Sequence, residues 1–320
     1  MKEIKISEIK GIKIGHAQNF EGGTGCTAII CEAGAVAGVD VRGGGPASRE
    51  TELLKPVNMV QQIHCVMLSG GSAYGLAAGD GAMQYLEELG VGFDVGVGVV
   101  PIVCGASLFD LVVGDSRCRP DKAMGYEACK VAGTIDVAEG NVGAGTGASV
   151  GKFLGLGRMM KGGLGVHAVQ IGDVQCGVVV AVNALGDVID YHTGKRIAGI
   201  LSEDKKELFR TEEAMYAEID KKRDVFAGNT TIACIVTNAK LTKDQANKLA
   251  SIAHNGYAKA ISPVHTSADG DTIFVMSTGE VEVGFDALGA LTTEVTAKAI
   301  CRGVKAADAA YGLKAARDFS

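Results

Sequence analysis

Gly228-Asn229-Thr230-Thr231-Ile232-Ala233-Cys234-Ile235-Val236 sets polar, turn-forming residues directly against a short run of apolar and β-branched ones. Such a run, bounded by turn residues, predicts a buried strand over 231–237. Upstream, the stretch 201–223 is dense in charge. It carries Glu203, Asp204, Lys205, Lys206 and Glu207, then Arg210, Glu212, Glu213, Glu218, Asp220, Lys221, Lys222 and Arg223. It reads as a solvated helix or an exposed connector. Its position matters more than its charge, because it ends just before the polar-to-apolar junction.

Outward from the junction, strands are predicted over 27–31, 64–68, 96–100, 167–171, 177–182, 272–277 and 280–283. Helices are predicted over 75–89, 123–132, 206–217, 243–262 and 292–311. The last two are rich in alanine with spaced Leu, Ile and Val, which suits close packing of helix on sheet. Some strands follow one another directly, and the long helices come late. This order predicts a layered α/β plan, with sheets face to face and helices outside, rather than a doubly wound fold.

At 320 residues the chain can bury one large core or two modest ones. Forty-six glycines beside five prolines, with no fixed period, exclude collagen and imply tight turns and close backbone contacts. Net charge is −6 and no dense Lys/Arg run occurs, which argues against a nucleic-acid partner. No apolar stretch reaches the ~18 residues of a membrane span. The start, Met1-Lys2-Glu3-Ile4-Lys5-Ile6, lacks the apolar segment of a secretory signal. Nine cysteines, an odd number without a C-x-x-C pair, read as reduced thiols filling the core of a cytoplasmic protein.

Several motifs fail on inspection. Gly140 to Lys152 resembles a P-loop, but Thr146 stands where the first glycine belongs and Phe153 follows Lys152. Gly143-x-Gly145-x-x-Ala148 fits a dinucleotide fingerprint only loosely, with no clear strand before it. The six histidines form no H-x-x-x-H, and His64 and Cys65, as strand neighbours, point to opposite faces. Ser72 misses the G-x-S-x-G spacing and reads as tight strand-to-helix packing.

The junction itself has a chemistry. A threonine at a new chain start carries its own base, since an α-amino group titrates near about 8. That amine can take the proton of the neighbouring hydroxyl, directly or through water. Exposing it requires a cut before Thr230, which an N→O acyl shift followed by hydrolysis provides. The Asn229-Thr230 dipeptide alone is weak evidence, because turns before strands commonly have this composition.

Further blocks strengthen it: Gly11-Ile12-Lys13-Ile14-Gly15-His16, Gly23-Thr24-Gly25-Cys26-Thr27, Asp40-Val41-Arg42-Gly43-Gly44-Gly45-Pro46, Arg49-Glu50-Thr51, Leu68-Ser69-Gly70-Gly71-Ser72-Ala73-Tyr74-Gly75-Leu76, Gly143-Ala144-Gly145-Thr146-Gly147, Gly228-Asn229-Thr230-Thr231 and Pro263-Val264-His265-Thr266. Through these, nearly end to end, the chain resembles the aminopeptidase DmpA family of L-aminopeptidase/D-esterases, β-aminopeptidases and nylon-oligomer hydrolases. The resemblance implies an αββα sandwich related to ornithine acetyltransferase. It also implies one peptidase domain over 1–320, cut into a large chain 1–229 and a small chain 230–320, in a homo-oligomer of four or eight subunits. It puts the nucleophile on Thr230 and an orienting pair on Asp269 and Asp271. Two residues apart at a strand start, both carboxylates can face one hydroxyl. It puts an oxyanion-binding amide on Asn183. The nylon-hydrolase branch adds Lys152, a lysine that holds negative charge or keeps the amine neutral. One departure is Phe109, where members often carry tyrosine. A second oxyanion donor must then come from a backbone N–H or elsewhere, Tyr74 being a candidate.

The expectation is a cytoplasmic amidase or aminopeptidase acting on small peptides or amino-acid amides through an acyl-enzyme on Thr230, with no metal or organic cofactor. Two alternatives differ in class. One is an acyltransferase of the ornithine acetyltransferase kind, which usually cuts at Ala-Thr. The other is a non-cleaving binding or structural oligomer.

Overall fold

The layers are set by which face each strand buries. The computed structural model describes residues 1–134, 136–220 and 228–319. Its main strands are β1 (Lys13–Asn19), β2 (Thr24–Val41), β3 (Gln62–Ser69), β4 (Val103–Ser107), β5 (Gly163–Ile171), β6 (Val174–Val182), β7 (Ile232–Ala239) and β8 (Thr272–Val281). They join one ten-stranded sheet, and the long β2 belongs to both of its halves. Its first part pairs with β1 and β3, and its last part, Val36–Val41, pairs with β8. The β2–β3 register shifts between Ile30 and Ala35. Side chains alternate accordingly. Ile29, Val66, Leu68 and Cys104 meet Val179, Ala181, Ile232, Cys234, Phe274 and Met276 in a core between the two half-sheets.

The outer faces carry the helices. Cys26, Ala28, Cys65 and Met67 pack on α1 (Ala78–Glu88) and α2 (Lys122–Lys130). Val178, Val180, Ala233, Ile235, Ile273 and Val275 pack on α3 (Lys243–Ala260) and α4 (Phe285–Ala306). The result is the expected αββα sandwich. Both faces of β6, β7 and β8 are buried, which is why those segments read as continuous apolar runs. Each fully buried Val, Ile or Phe contributes about 1.5–3 kcal/mol. A capping box starts α3, with Thr242 and Gln245 each bonding the other's backbone N–H.

Some boundaries differ from expectation. Residues 272–277 and 280–283 were expected as two strands, but β8 runs unbroken to Val281. Of 96–100, only Val99–Val100 pairs, with Phe93–Asp94, and Gly96 (φ 81°) sits in the turn between these two short strands. α4 starts earlier, at Phe285, and ends at Ala306. Gly289 lies inside it, where its bare Cα fits against Ile252. Among its described residues, the charged stretch is helical only over Thr211–Tyr216, pinned where Thr211 N and Oγ1 donate to the buried Asp187. Its end, Lys221 to Arg223, lies outside the described residues. All nine cysteines are free and eight are buried. No described helix is long and apolar enough to cross a membrane.

Candidate active site

Three neighbouring strand ends meet at Thr230, which is buried just before β7. On one side β6 runs antiparallel, Ala181 facing Ile232, so Asn183 comes to lie beside Thr230. Thr230 N donates to Asn183 O at 2.9 Å. On the other side β8 runs parallel, Ile232 facing Thr272, and parallel pairing recurs ahead of both strands between Asn229 and Asp269. There Gly270 N donates to Asn229 O at 2.8 Å. The Thr230 hydroxyl donates to the same carbonyl. The carbonyl oxygen of the Asn229–Thr230 peptide thus accepts from the next residue's hydroxyl and from a backbone N–H.

The turn carrying Asp269 and Asp271 is braced by the residues that continue β2. Arg42 N donates to Asp271 O (3.0 Å) and Gly45 N to Asp269 O (2.8 Å). A Cβ on Gly43 would stand 2.3 Å from Asp269 O, and one on Gly270 2.6 Å from Thr230 Oγ1. The bare glycines allow this approach, which explains the Arg42–Pro46 block.

Lys152 is buried. Its Nζ donates to Asn183 Oδ1 (2.7 Å), Asn183 O (3.1 Å) and Gly228 O (3.0 Å). Burial pushes its ammonium down to about 7, against the pull of Asp269 and Asp110. Asn183 is fully enclosed. Its Oδ1 also accepts from Ser149 N (3.0 Å), and its Nδ2 donates to Phe109 O (3.1 Å). Ser149 lies in the glycine-rich run that failed as a phosphate loop. That run turns carbonyls inward: Gly145 O, Thr146 O and Ala148 O accept from Lys161 Nζ at 3.4, 2.9 and 2.7 Å.

The two carboxylates lie near Thr230 but do not converge on its hydroxyl. Asp269 accepts from Thr266 N (2.9 Å), Thr266 Oγ1 (2.6 Å) and Leu185 N (3.3 Å). Asp271 accepts from Thr231 N (2.8 Å), His265 N (3.1 Å) and His265 Nδ1 (2.8 Å). Strand alternation does not govern them, because β8 begins only at Thr272. They fix the backbone around Thr230 instead. Burial, with Asp271 close by, raises the Asp269 carboxyl to about 6.

Phe109 lines the small cleft beside Thr230 with Ser72, Ser107 and Ala268. Tyr74 does not. It is exposed, with the Arg119 guanidinium 3.8 Å from its ring centre. Sequence reasoning missed His265, Thr266, Asp110 and Lys161. Asp110 is buried and accepts from Thr24 Oγ1 (2.7 Å) and Gly71 N (2.6 Å), and burial raises its carboxyl. His265 and Thr266 stand in one of the resemblance blocks but were given no role, and Lys161 stands inside Met159-Met160-Lys161-Gly162-Gly163-Leu164, a charge in an apolar run.

Comparison with known proteins identifies the family and the fold. Residues 5–317 match peptidase family S58. The chain is 38% identical over 342 residues to an uncharacterized aminopeptidase of Mycobacterium tuberculosis, covering 98% of this chain and 97% of that protein. It is 31% identical over 321 residues to the 6-aminohexanoate-oligomer endohydrolase of Paenarthrobacter ureafaciens, covering 95% and 87%. The fold matches the L-aminopeptidase D-Ala-esterase/amidase of Ochrobactrum anthropi, described as a variant of the Ntn hydrolase fold. The TM-score is 0.72 at 17% identity, over 95% of this chain and 86% of that one. The β-aminopeptidase of a Burkholderia species gives 0.68 at 19% identity, over 95% and 86%. The chain belongs to peptidase family S58 and is a hydrolase.

Proposed function

We propose that this hydrolase cuts itself between Asn229 and Thr230 and then uses Thr230 as an N-terminal nucleophile on amide bonds of small peptides or amino-acid amides. One observation carries the reading: the buried Thr230 hydroxyl is hydrogen-bonded to the carbonyl oxygen of the preceding residue. In self-cleavage Oγ1 bonds to the Asn229 carbonyl carbon, the C–N bond to Thr230 breaks, and the hydroxyl proton passes to the freed amine. Water hydrolyses the ester, leaving a carboxylate on Asn229 and restoring the hydroxyl. In turnover the amine takes the hydroxyl proton, Oγ1 attacks the substrate carbonyl, and the leaving amine collects the proton. A second water releases the acid.

The neighbours suit these steps. Asn183 O, the acceptor for Thr230 N, holds the new amine. Lys152, in its protonated form, disfavours a second positive charge nearby and so favours the neutral amine. One Nδ2 proton of Asn183 is engaged by Phe109 O, which leaves the other for an oxyanion. Asp269 and Asp271 act by orientation. The free thiols and the family resemblance support a cytoplasmic homo-oligomer of four or eight subunits, as two chains per subunit.

Denaturing mass spectrometry tests the cut. Chains 1–229 and 230–320 are expected, the smaller beginning Thr-Thr-Ile-Ala-Cys on Edman sequencing. A single intact mass after long incubation at neutral pH would refute the reading, and a start at Thr231 would move the nucleophile by one residue.

A further inference from the structure

We infer that the main-chain N–H of Gly270 is an oxyanion donor. It serves the Asn229 oxygen in self-cleavage and, in turnover, the carbonyl oxygen of an acyl group lying where Gly228–Asn229 lies. The inference rests on Thr230 as nucleophile. Gly270 N already stands 2.8 Å from Asn229 O, within the range that stabilises a developing alkoxide. It is held in place in advance, because Gly45 N grips Asp269 O and the Gly270 Cα has Thr230 Oγ1 and Gly45 O on its bare side. It also answers the loss of a phenol at Phe109, for which Tyr74 is badly placed.

The same donor serves both reactions because both pass through an ester of the same oxygen. Self-cleavage passes through Asn229 esterified to Thr230 Oγ1. Turnover passes through a substrate acyl group esterified to the same atom. In each, the carbonyl oxygen gains the electron pair as the tetrahedral centre forms and returns it as the leaving group departs. The chain's own Gly228–Asn229 is therefore an imprint of the acyl half of the substrate. Its reacting oxygen faces Gly270 N, and the carbonyl one residue upstream, Gly228 O, faces Lys152 Nζ at 3.0 Å. Among the described residues, those lining the surrounding cleft, with Ala47, Ser72, Ser107, Phe109 and Ala268, carry no charged side chain. The favoured acyl group is an extended, N-acylated aminoacyl unit with a small uncharged side chain.

The test replaces glycine 270 by glycolic acid during cell-free translation of the full chain. The ester keeps the shape and deletes one N–H. A control ester replaces the Thr272 amide, whose N–H bonds Thr231 O at 3.1 Å away from the scissile carbonyl. The ester at 270 should cut itself roughly 10²–10³-fold more slowly, while the control stays near the parental rate. Its cut fraction should show a similar fall in kcat on N-acetylglycylasparagine p-nitroanilide, with KM little changed. The parental enzyme should prefer that substrate to asparagine p-nitroanilide by about tenfold or more in kcat/KM, the worth of a hydrogen bond to an ammonium. Equal cutting rates of the ester at 270 and the parent overturn the Gly270 assignment alone, as does an equally slow control. No preference for the acetylglycyl substrate overturns the imprint. A parental chain that stays whole overturns both and the nucleophile with them.

Discussion

Lys152 and Lys161 are both buried, each ammonium faces three oxygens, and burial pushes each down to about 7. Their acceptors differ in kind. Those of Lys161 all belong to the turn 145–148, which stays in one chain whatever happens at residue 229. Those of Lys152 straddle the proposed cut: two are on Asn183 and one is Gly228 O, on the acyl side of the scissile bond. A cut that frees Gly228 gives Lys152 an open N–H aimed at the reacting centre, and gives Lys161 nothing. Under the proposed cut, the same chemical group is a structural tie in one place and a working one in the other, and the ownership of the acceptors tells them apart.

The largest expected effect freezes that difference. Thr230→Ala should remain a single chain and hydrolyse no p-nitroanilide, because it lacks the hydroxyl and never exposes the amine. Gly228 then stays on Lys152 permanently. Two species in the mass spectrum of this variant would show that something other than Thr230 makes the cut.

Lys152→Met should slow self-cleavage and turnover by roughly 10²-fold or more, and so should Asp269→Asn and Asp271→Asn if they steer proton transfer. Asp269 ties its turn to Leu185 and Asp271 holds Thr231 N, so each reaches Thr230 through backbone. Near-normal kinetics in both aspartate variants would remove them from the mechanism. Lys161→Met is expected to cost only about tenfold, since it acts through the position of Ser149 and hence of Asn183. Equal losses at the two lysines, measured as single-turnover cutting rates, would erase the distinction drawn above.

The sandwich was legible because β6, β7 and β8 are buried on both faces and so write themselves as apolar runs. β2 was only partly legible. Its 18 residues cross from one half-sheet to the other through Glu32, Ala33 and Gly34, which read as a break. At the site, Thr230, Asn183, Lys152 and the aspartates were reached through family resemblance, and the structure gathers them. The Gly270 N–H was invisible, because a backbone donor has no side chain to notice. Lys161 was visible as a misplaced charge but had no partner in sequence, since backbone carbonyls satisfy it. His265 was set aside with the other histidines, and only the turn that brings it to Asp271 gives it a role.

The smallest effect is a slope. A lysine at about 7 in the folded chain and near its ordinary 10.5 when unfolded binds fewer protons folded than unfolded between those values. Stability must therefore rise with pH across that window and fall as pH drops toward 7, by about 1.4 kcal/mol per pH unit for each lysine. Thr230→Ala supplies a chain that unfolds as one piece, in which urea titrations from pH 7.5 to 8.5 can be compared. Buried thiols slope the other way, Cys104 and Cys301 being pushed up to about 12 and about 11 by burial, but equally in every variant. Adding Lys161→Met or Lys152→Met should each remove one lysine's share of the rise, by similar amounts, because Gly228 is still in place in the uncut chain. In the cut enzyme the two should part. Release of Gly228 opens Lys152 to water and to the Thr230 amine, so its share shrinks while that of Lys161 is unchanged. Identical slopes for both lysines before and after cutting would mean that Gly228 never leaves Lys152, and that the acyl side of the site remains filled by the protein's own chain.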